Sequence, residues 1–313
     1  MTERKKTIEA VMLGHAVGDA LGVPVEFFMR EELEEEPVTA MRGFGSYPVP
    51  AGAWSDDTSM SLAALDSLSG GTVDYDQIMD NFVKWCINDE YTPTGEMFDI
   101  GQTCLSAIRR YLASDTAAPW ECGLDDEHAN GNGSLMRIHP FVLMARYNAD
   151  VRARWEGVIE RASALTHAHR RSVLGCLIYA RILLALLEKP EKGSIGEALA
   201  KAAEEYADAP EAEAYARLFS PDFPQTGRDE IQGTGYVVHT LEAAVWCVLN
   251  TDTYRDCVLE AVNLGDDTDT VAAVAGALAG ALYGYEAIPA EWLDTLIRRA
   301  YIEELCERAA ACW

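Results

Sequence analysis

Three aspartates whose side chains could bind a ligand, Asp266, Asp267 and Asp269, precede the apolar segment VAAVAGALAGALYG (271–284). One aspartate at the start of a helix is an ordinary N-cap, which stabilises the helix by ~1 kcal/mol. Several carboxylates that enter a buried helix repel one another unless a cation lies among them. Because Lys and Arg are absent from 263–296, a bound cation is the simplest compensation.

A second acidic cluster, Ser55, Asp56, Asp57 and Thr58, opens the apolar segment MSLAALDSL (60–68) and also has no basic neighbour. Carboxylate and hydroxyl oxygens suit Mg²⁺, Mn²⁺ or Ca²⁺, whereas the Cys and His spacings of a zinc site are missing. For either cluster alone, helix capping and metal binding are equally open interpretations. Two unneutralised clusters of the same kind favour a metal site.

A glycine-rich loop, GNGSLMR (131–137), is a third candidate for chemistry. Glycine has no Cβ, so such a loop can bring backbone N–H groups close to a diphosphate, although the pattern is weak evidence by itself. Several single residues also have ordinary interpretations. Asp99 could cap a helix and Glu26 could be solvated in a turn, while His167 and Tyr236 have the patterns of a loop histidine and a core aromatic residue.

The elements that must position these residues are predicted to be helices. Apolar residues recur at helical spacing in nearly every segment and alternating β-type patterns are almost absent, which predicts an all-α fold. Ser194 and Glu197 fit a capping box. The segments 29–54 and 209–235 are predicted to be long loops, which often line a functional site. The predicted helices cover 7–21, 57–68, 75–88, 100–112, 140–146, 151–165, 171–187, 195–206, 236–249, 254–263, 269–283 and 291–312.

Two of the predicted helices carry glycines at four-residue intervals. These are Gly14, Gly18 and Gly22 in the first helix, and Gly276, Gly280 and Gly284 near the end of the chain. Each interior glycine costs about 1 kcal/mol relative to alanine, so we expect helix backbones to approach closely there. His15 and Asp19, one helical turn apart, are expected to be buried partners rather than catalysts.

The composition limits the class of protein. With 313 residues and 49% hydrophobic content, the chain can bury one large core, and no linker divides it, so we predict one domain over 1–313. The formal net charge of −26 disfavours nucleic-acid and membrane partners. No uninterrupted apolar stretch reaches the ~18 residues of a membrane span, and eight scattered cysteines without a C-x-x-C pair are typical of reduced thiols. We therefore expect a soluble cytoplasmic protein.

The chain resembles the ADP-ribosylglycohydrolase family, especially its bacterial branch that acts on ADP-ribosyl-arginine and includes dinitrogenase reductase-activating glycohydrolase. The matching motifs, which span most of the chain in family order, are GHAVGDALGVPVEF (14–27), WSDDTSM (54–60), FDIG (98–101), GNGSLMR (131–137), TH (166–167), GYVVHTLEAAVW (235–246) and NLGDDTDTVAAVAGALAGA (263–281). The resemblance implies a single compact multi-helix orthogonal domain.

The resemblance also implies a centre of two divalent cations, Mg²⁺ or Mn²⁺. The residues that match the family's metal ligands are Ser55, Asp56, Asp57, Asp267, Asp269 and Thr270. Ser55 stands where the family more often has Thr, and the hydroxyl ligand is preserved. Asp266, beside the matched positions, is expected to cap the helix or to support a ligand rather than to bind metal itself.

By the same resemblance, Asp99 and Glu26 are the candidate catalytic residues, with Asp99 preferred. The candidate substrate contacts are Asn132, Gly133, Ser134, Met136, His167 and Tyr236. We hypothesise that two cations, ~3.5–4 Å apart, hold the hydroxyls of the distal ribose. Water activated by Asp99 or by a cation then attacks the anomeric carbon while its bond to the acceptor stretches toward an oxocarbenium-like state.

The implied activity is metal-dependent hydrolysis of the glycosidic bond between ADP-ribose and a modified acceptor. An ADP-ribosyl-arginine on protein is the preferred substrate, and an ADP-ribose-containing small molecule is the alternative partner. The other interpretations are hydrolysis of O-acetyl-ADP-ribose or another ADP-ribosyl linkage, a non-catalytic protein that binds ADP-ribose, and a two-metal phosphohydrolase.

Overall fold

The computed structural model describes residues 2–114 and 116–313, and these form helices joined by turns and loops. The described part of the chain contains no β-strand, and its β-type pairings are isolated bridges, so the all-α prediction is confirmed. The α-helices are α1 (Glu3–Gly22), α2 (Arg30–Glu35), α3 (Asp56–Leu68), α4 (Tyr75–Asn88), α5 (Gln102–Leu112), α6 (His139–Tyr147), α7 (Ala149–Arg152), α8 (Trp155–Ala164), α9 (Arg170–Glu188), α10 (Lys192–Glu205), α11 (Val237–Asn250), α12 (Tyr254–Val262), α13 (Thr268–Tyr283), α14 (Ala290–Thr295) and α15 (Arg299–Cys312).

Two of the predicted helices are each split in the structure. The helix predicted over 151–165 is α7 and α8, separated where Arg154 leaves the helical conformation (φ −135°, ψ 27°). The helix predicted over 291–312 is α14 and α15, separated near Arg298, whose backbone is left-handed (φ 52°). Neither break contains Gly or Pro, so the sequence carries no local signal for it.

Two smaller expectations, one about the start of a helix and one about a loop, are wrong. The capping box predicted at Ser194 does not form, because α10 begins at Lys192 and the Ser194 hydroxyl donates to the carbonyl of Lys189 (2.8 Å). The predicted loop 29–54 contains the short helix α2. Its start is stabilised by Glu32, which accepts a hydrogen bond from the N–H of Met29 (2.8 Å).

Helices α1 and α13 pack against each other at the centre of the fold, with glycines at the crossing. A Cβ added to Gly14 would lie 2.5 Å from the carbonyl oxygen of Gly276, and one added to Gly18 would overlap the carbonyl oxygen of Ala272. The predicted close approach of the two backbones is therefore confirmed, but not at Gly284, which follows α13 and where an added Cβ meets nothing within 4 Å. Because position 14 meets 276 and position 18 meets 272, the helices are antiparallel, and the end of α1 lies at the start of α13.

We expect Gly18→Ala to destabilise the protein by about 2–3 kcal/mol, although alanine is the better helix former by about 1 kcal/mol. The added Cβ would meet the backbone of Ala272, which cannot rotate away as a side chain can. Urea unfolding measures the effect. Gly196→Ala in α10 is the matched control, because a Cβ there meets nothing within 4 Å, and it should stabilise by up to about 1 kcal/mol. Equal effects of the two variants would contradict the packing described.

Helix α1 is part of the continuous core. Over Glu3–Val25 this segment is long and apolar enough to cross a membrane, but the apolar window is entirely buried inside the protein. The main hydrophobic cluster extends from Ile8 in α1 to Trp313. One domain over 1–313 stays a prediction.

Candidate metal centre and ligand pocket

The acidic residues at the start of α13 lie against the segment that follows α1. The N–H of Phe27 donates to the carbonyl of Asp266 (2.6 Å). Through this pairing, carboxylate oxygens of Glu26, Asp267 and Asp269 lie within 4.8 Å of one another. Asp267 is the N-cap residue of α13 and makes no side-chain capping bond, so Asp266 supports the centre through its backbone instead of capping the helix.

The second acidic cluster, at the start of α3, is positioned by a buried aspartate of α1. Asp19 accepts hydrogen bonds from the N–H of Ser55 (2.9 Å) and from the N–H and hydroxyl of Thr58 (3.0 and 2.6 Å). These bonds fix the first turn of α3 against α1. Asp57 is thereby held against α13, and Asp56 lies in the wall of a cavity described below.

The two clusters meet at Asp57. Its Oδ2 accepts hydrogen bonds from the hydroxyls of Ser55 and Thr270, each at 3.2 Å. Thr270 belongs to α13, so residues from opposite ends of the chain form one buried acidic centre. This outcome agrees with the interpretation that both clusters serve the same site.

Several carboxylate oxygens of the centre are buried but have no hydrogen-bond partner among the described residues: Glu26 Oε2, Asp57 Oδ1, Asp267 Oδ1 and Asp269 Oδ2. A buried acceptor without a partner costs about 1–3 kcal/mol, and more if it is charged. Divalent cations such as Mg²⁺ and Ca²⁺ bind carboxylate and hydroxyl oxygens. The residues present therefore fit divalent cations, which would satisfy these oxygens; those of Glu26, Asp267 and Asp269 are close enough together to share one cation.

The pKa values of the acidic centre show the same electrostatic conflict. Burial, followed by repulsion from neighbouring carboxylates, raises the pKa values of Asp56, Asp57 and Asp269 well above their usual range. Burial raises the pKa of Glu26 to about 9, and repulsion from Asp99 adds to the rise. Because the ionised forms are disfavoured, a cation must compete with protons for this centre.

We expect the metal-free protein to lose stability as the pH rises from about 4 to about 9. Where a folded-state pKa is raised, the folded protein binds more protons than the unfolded chain between the ordinary and the raised value, so stability falls as the pH rises through that window. The window extends to the pKa of Glu26, about 9. Thermal unfolding in EDTA measures the trend, and Mn²⁺ at pH 8 should reverse it.

The matched variants for this pH series are Asp269→Asn in the centre and Glu35→Gln on the exposed face of α2. Asp269→Asn removes one of the repelling charges, so the dependence of the unfolding temperature on pH should become shallower. Glu35→Gln removes an acid of the surface and should leave the dependence as in the wild type. A dependence that is the same in all three proteins would locate the effect outside the centre.

A cavity of about 260 Å³ opens beside the acidic centre. Its wall includes the carboxyl-bearing residues Glu26, Asp56, Asp99 and Asp267 and, from the glycine loop, Gly131, Asn132, Gly133 and Met136. The two candidate chemical features of the sequence therefore converge on one pocket. A ligand in this cavity would contact the acidic centre and the loop at the same time.

Asp99 and Glu26 do not have the ordinary roles that the sequence left open. The N-cap of α5 is Gly101, and Asp99 lies before it with a left-handed backbone (φ 55°), a conformation that concentrates at functional sites. Burial raises the pKa of Asp99 to about 6, repulsion from Asp267 adds to the rise, and the Tyr47 hydroxyl offsets part of it. Glu26 is only 5% exposed, so it is not solvated.

The structure places part of the predicted substrate-binding set on the pocket wall, namely Asn132, Gly133, Met136 and His167. The side chain of Asn132 has a second task. Its amide donates to Asp267 Oδ2 (2.9 Å) and to the Thr240 hydroxyl (3.0 Å), so it orients a carboxylate of the acidic centre. The glycine loop and the centre are therefore connected by a direct hydrogen bond.

Ser134 and Tyr236 are not among the residues that line this cavity, and the ring of Tyr236 is half-buried. The Ser134 hydroxyl lies 2.9 Å from the hydroxyl of Ser163 and 3.4 Å from the thiol of Cys176, so its side chain faces the core. The backbone of Tyr236 pairs with Gly131 in an isolated antiparallel bridge. In this structure both residues support the glycine loop, and their side chains do not form the wall.

Sequence reasoning assigned the wrong partner to Asp19 and missed Tyr47. Asp19 was expected to pair with His15, but it supports α3, and the ring of His15 packs on that of His139 (4.2 Å between centroids). A buried acid in an apolar helix signals an important carboxylate without naming its partner. Tyr47 lies in the long loop 29–54, where no periodic pattern indicates which residues return to the site.

The fold and this centre define an all-helical protein with a buried, cation-fitting acidic site beside a ligand-sized pocket. The family model for ADP-ribosylglycohydrolase matches residues 1–313, and the chain belongs to that family. The structure also resembles a solved structure titled "ADP-ribosylglycohydrolase-related protein complex", with a TM-score of 0.83, 32% sequence identity, and coverage of 100% of this chain and 99% of that chain.

Two relatives with assigned activities show the reaction class. The chain is 36% identical over 300 residues to ADP-ribosylarginine hydrolase Tri1 of Pseudomonas putida (strain GB-1), covering 96% of this chain and 76% of the relative. It is 35% identical over 294 residues to ADP-ribosyl-[dinitrogen reductase] glycohydrolase of Rhodospirillum rubrum, covering 91% and 88%. The resemblance inferred from the motifs is confirmed, and the protein is a hydrolase of the ADP-ribosyl glycohydrolase class.

Proposed function

We propose that this enzyme hydrolyses the glycosidic bond between ADP-ribose and an arginine side chain of a modified protein, with divalent cations bound at the acidic centre. The observation that carries the proposal is the set of buried carboxylate oxygens without partners among the described residues, two of which belong to residues of the pocket wall, Glu26 and Asp267. The relatives named above support the arginine linkage, because one of them is an ADP-ribosylarginine hydrolase.

The residues that would hold two cations, Mg²⁺ or Mn²⁺, are Ser55, Asp56, Asp57, Asp267, Asp269 and Thr270. Glu26 joins this set, since its carboxylate lies within 4.8 Å of those of Asp267 and Asp269. When bound, the cations would fix the ribose hydroxyls and offset negative charge in the pocket. Glu26 is therefore assigned to the cation side of the site, and Asp99 is left as the candidate base.

Asp99 has the properties that a general base needs. Its pKa of about 6 leaves the carboxylate largely ionised at pH 7 to 8 and still basic enough to accept a proton. In the proposed step, water transfers a proton to Asp99 as its oxygen bonds to the anomeric carbon. The bond from that carbon to the guanidine nitrogen breaks, and the leaving guanidine retains the bonding electrons and takes up a proton equivalent to the one that Asp99 accepted, which returns Asp99 to its ionised form.

The glycine loop would hold the other half of the substrate. The diphosphate of ADP-ribose is anionic and the pocket wall is acidic, so donors must offset the repulsion locally. Gly133 lies on this wall, and a Cβ there would meet the side chains of Cys104 and His167 at 2.9 Å. Only glycine lets the backbone lie this close to them. The N–H of Asn132 donates to the carbonyl of Gly235 (3.0 Å), so the N–H of Gly133 and the one that follows it would be the donors to a diphosphate.

The proposal is tested by giving the purified enzyme an ADP-ribosyl-arginine peptide and O-acetyl-ADP-ribose in parallel, with Mn²⁺ or Mg²⁺, and identifying the products by mass spectrometry. Faster release of ADP-ribose from the arginine peptide is the expected result. Faster cleavage of the acetyl ester would overturn the arginine linkage. Binding of ADP-ribose without turnover of either compound would indicate a non-catalytic protein. A cytoplasmic location and the absence of nucleic-acid and membrane partners stay predictions.

A further inference from the structure

A buried arginine lies directly behind the ligand pocket. Arg137 follows the wall residue Met136, is fully buried, and has no carboxylate within 4.0 Å among the described residues. Its guanidinium packs over the ring of Phe82 (4.9 Å to the centroid). Burying a charge without a counter-ion is costly, whereas no Lys or Arg of the described chain lines the pocket itself. We therefore expect the positive charge of Arg137 to act on the pocket.

The hydrogen bonds of Arg137 lead to the pocket. Its Nη2 donates to Thr166 Oγ1 (2.7 Å), and the same hydroxyl lies 2.8 Å from His167 Nδ1. On the other edge of the imidazole, Nε2 faces the glycine loop, where a Cβ on Gly133 would lie 3.4 Å from it and one on Gly131 would lie 3.6 Å from it. The three side chains form a relay from the buried cation to the wall.

The direction of this relay follows from proton counting. A guanidinium only donates, so Thr166 accepts from Arg137. The threonine hydroxyl has one proton, and in the described structure His167 Nδ1 is the only nitrogen or oxygen placed to accept it. If Nδ1 carried a proton, the only other acceptor near that hydroxyl among the described residues would be the sulfur of Cys104, which accepts hydrogen bonds weakly. The relay therefore leaves the imidazole proton on Nε2.

The same residues keep the ring neutral. His167 is 2% exposed, and burial, with the nearby charge of Arg137, lowers its pKa to about 3. Its backbone is also fixed, because its N–H donates to the carbonyl of Ser163 (2.8 Å) and its carbonyl accepts from the Ser163 hydroxyl (2.9 Å). A neutral ring with a fixed orientation presents one N–H to the pocket.

We infer that Arg137, acting through Thr166, holds His167 in the tautomer protonated on Nε2, so that a neutral imidazole donates a hydrogen bond to the diphosphate of ADP-ribose. The inference deepens the proposed function and rests on it for the identity of the ligand. Arg137 and Thr166 are positioning residues, whereas His167 touches the ligand. The relay supplies a hydrogen-bond donor and a positive electrostatic potential to an acidic pocket. It does so without placing a Lys or Arg side chain among the metal-binding carboxylates.

A purely structural role for Arg137 is the competing interpretation. Its Nη1 donates to the carbonyl of Ala162 (3.1 Å) in the last turn of α8, which is a common way to cap a helix end. That bond does not involve His167. Variants of Thr166 therefore separate the two interpretations, because they break the relay and leave the bond to Ala162 in place.

The first measurement determines the tautomer in the ligand-free full chain by two-dimensional ¹H–¹⁵N NMR of ¹⁵N-histidine-labelled protein, with the signals of His167 assigned from their absence in His167→Ala. We expect Nδ1 to be unprotonated and Nε2 to be protonated. A proton on Nδ1 in the wild type would overturn the inference. This readout does not depend on the identity of the ligand.

The second measurement is the affinity for ADP-ribose in a double-mutant cycle, followed by calorimetry. Thr166→Val should weaken the binding of ADP-ribose about tenfold, as expected for loss of a hydrogen bond to a charged group. Thr166→Ser keeps the hydroxyl and should bind ADP-ribose with the affinity of the wild type. In a His167→Ala background, Thr166→Val should have no further effect, since its contribution passes through His167. Melting temperatures confirm that each variant is folded.

Each result has a defined meaning. Equal losses of affinity from Thr166→Val with and without His167 would overturn the positioning role, and so would an unchanged affinity of Thr166→Val. If the wild type does not bind ADP-ribose at all, the proposed function fails, and the assignment of the ligand fails with it. In that case the NMR result still decides whether the relay sets the tautomer.

Discussion

Asp99→Asn should abolish turnover of an ADP-ribosyl substrate while leaving the binding of ADP-ribose measurable. The substitution keeps the size of the side chain but removes the group that accepts a proton from water, and loss of a general base costs about 100- to 10,000-fold in rate. Asn also tolerates the left-handed backbone of this position (φ 55°). Single-turnover kinetics and calorimetry with ADP-ribose measure the two effects.

The matched control for this variant is Asp89→Asn. Asp89 lies in the same connection between α4 and α5, also has a left-handed backbone (φ 59°), and is exposed, with its carboxylate accepting from the N–H of Met97 (2.8 Å). We expect its turnover to equal that of the wild type. Asp99→Asn with undiminished turnover would remove Asp99 as the base and return Glu26 to that role.

Asp269→Asn should have opposite effects on function and on the stability of the metal-free protein. Loss of an anionic ligand should raise the Kd for Mn²⁺ by at least about 100-fold and lower turnover about 1,000-fold, roughly 4 kcal/mol of transition-state stabilisation. The same change removes one repelling charge from a buried cluster, so in EDTA at pH 8 the variant should unfold at a higher temperature than the wild type.

Asp266→Asn is the control for this second variant. Asp266 is a neighbouring aspartate with a left-handed backbone (φ 63°) that Asn can adopt, and it contributes to the site through its backbone. Its substitution should leave both the Kd for Mn²⁺ and the unfolding temperature close to the wild-type values. If Asp269→Asn binds Mn²⁺ as tightly as Asp266→Asn does, the carboxylate of Asp269 is not a ligand.

The parts of the site that the sequence predicts are those with a local electrostatic signal. The acidic starts of α3 and α13 stand out because each precedes an apolar helix without a basic neighbour. The glycine intervals of α1 and α13 indicate where backbones pass closely, and this contact brings the end of α1 to the start of α13. Together they predict an acidic centre on a helical fold.

The parts that the sequence does not predict depend on long-range contacts. Asp19 accepts hydrogen bonds from residues 36 and 39 positions later in the chain. The amide of Asn132 donates to Asp267, which is 135 residues away in sequence. Hydrophobic periodicity says which face of a helix is buried but not which polar group lies opposite. Hydrophobic periodicity also does not predict that the side chain of Ser134 faces the core, because the conformation of the glycine loop determines whether it faces the core or the pocket.

The most direct test of the account is the release of ADP-ribose from an ADP-ribosyl-arginine peptide by enzyme stripped with EDTA and then titrated with Mn²⁺. The account predicts no release before the titration, and afterwards equal amounts of ADP-ribose and unmodified peptide without AMP. Release that is independent of added cation would contradict the role of the acidic centre. Formation of AMP, with a phosphoribosyl group left on the peptide, would show that the enzyme cleaves the diphosphate instead of the glycosidic bond.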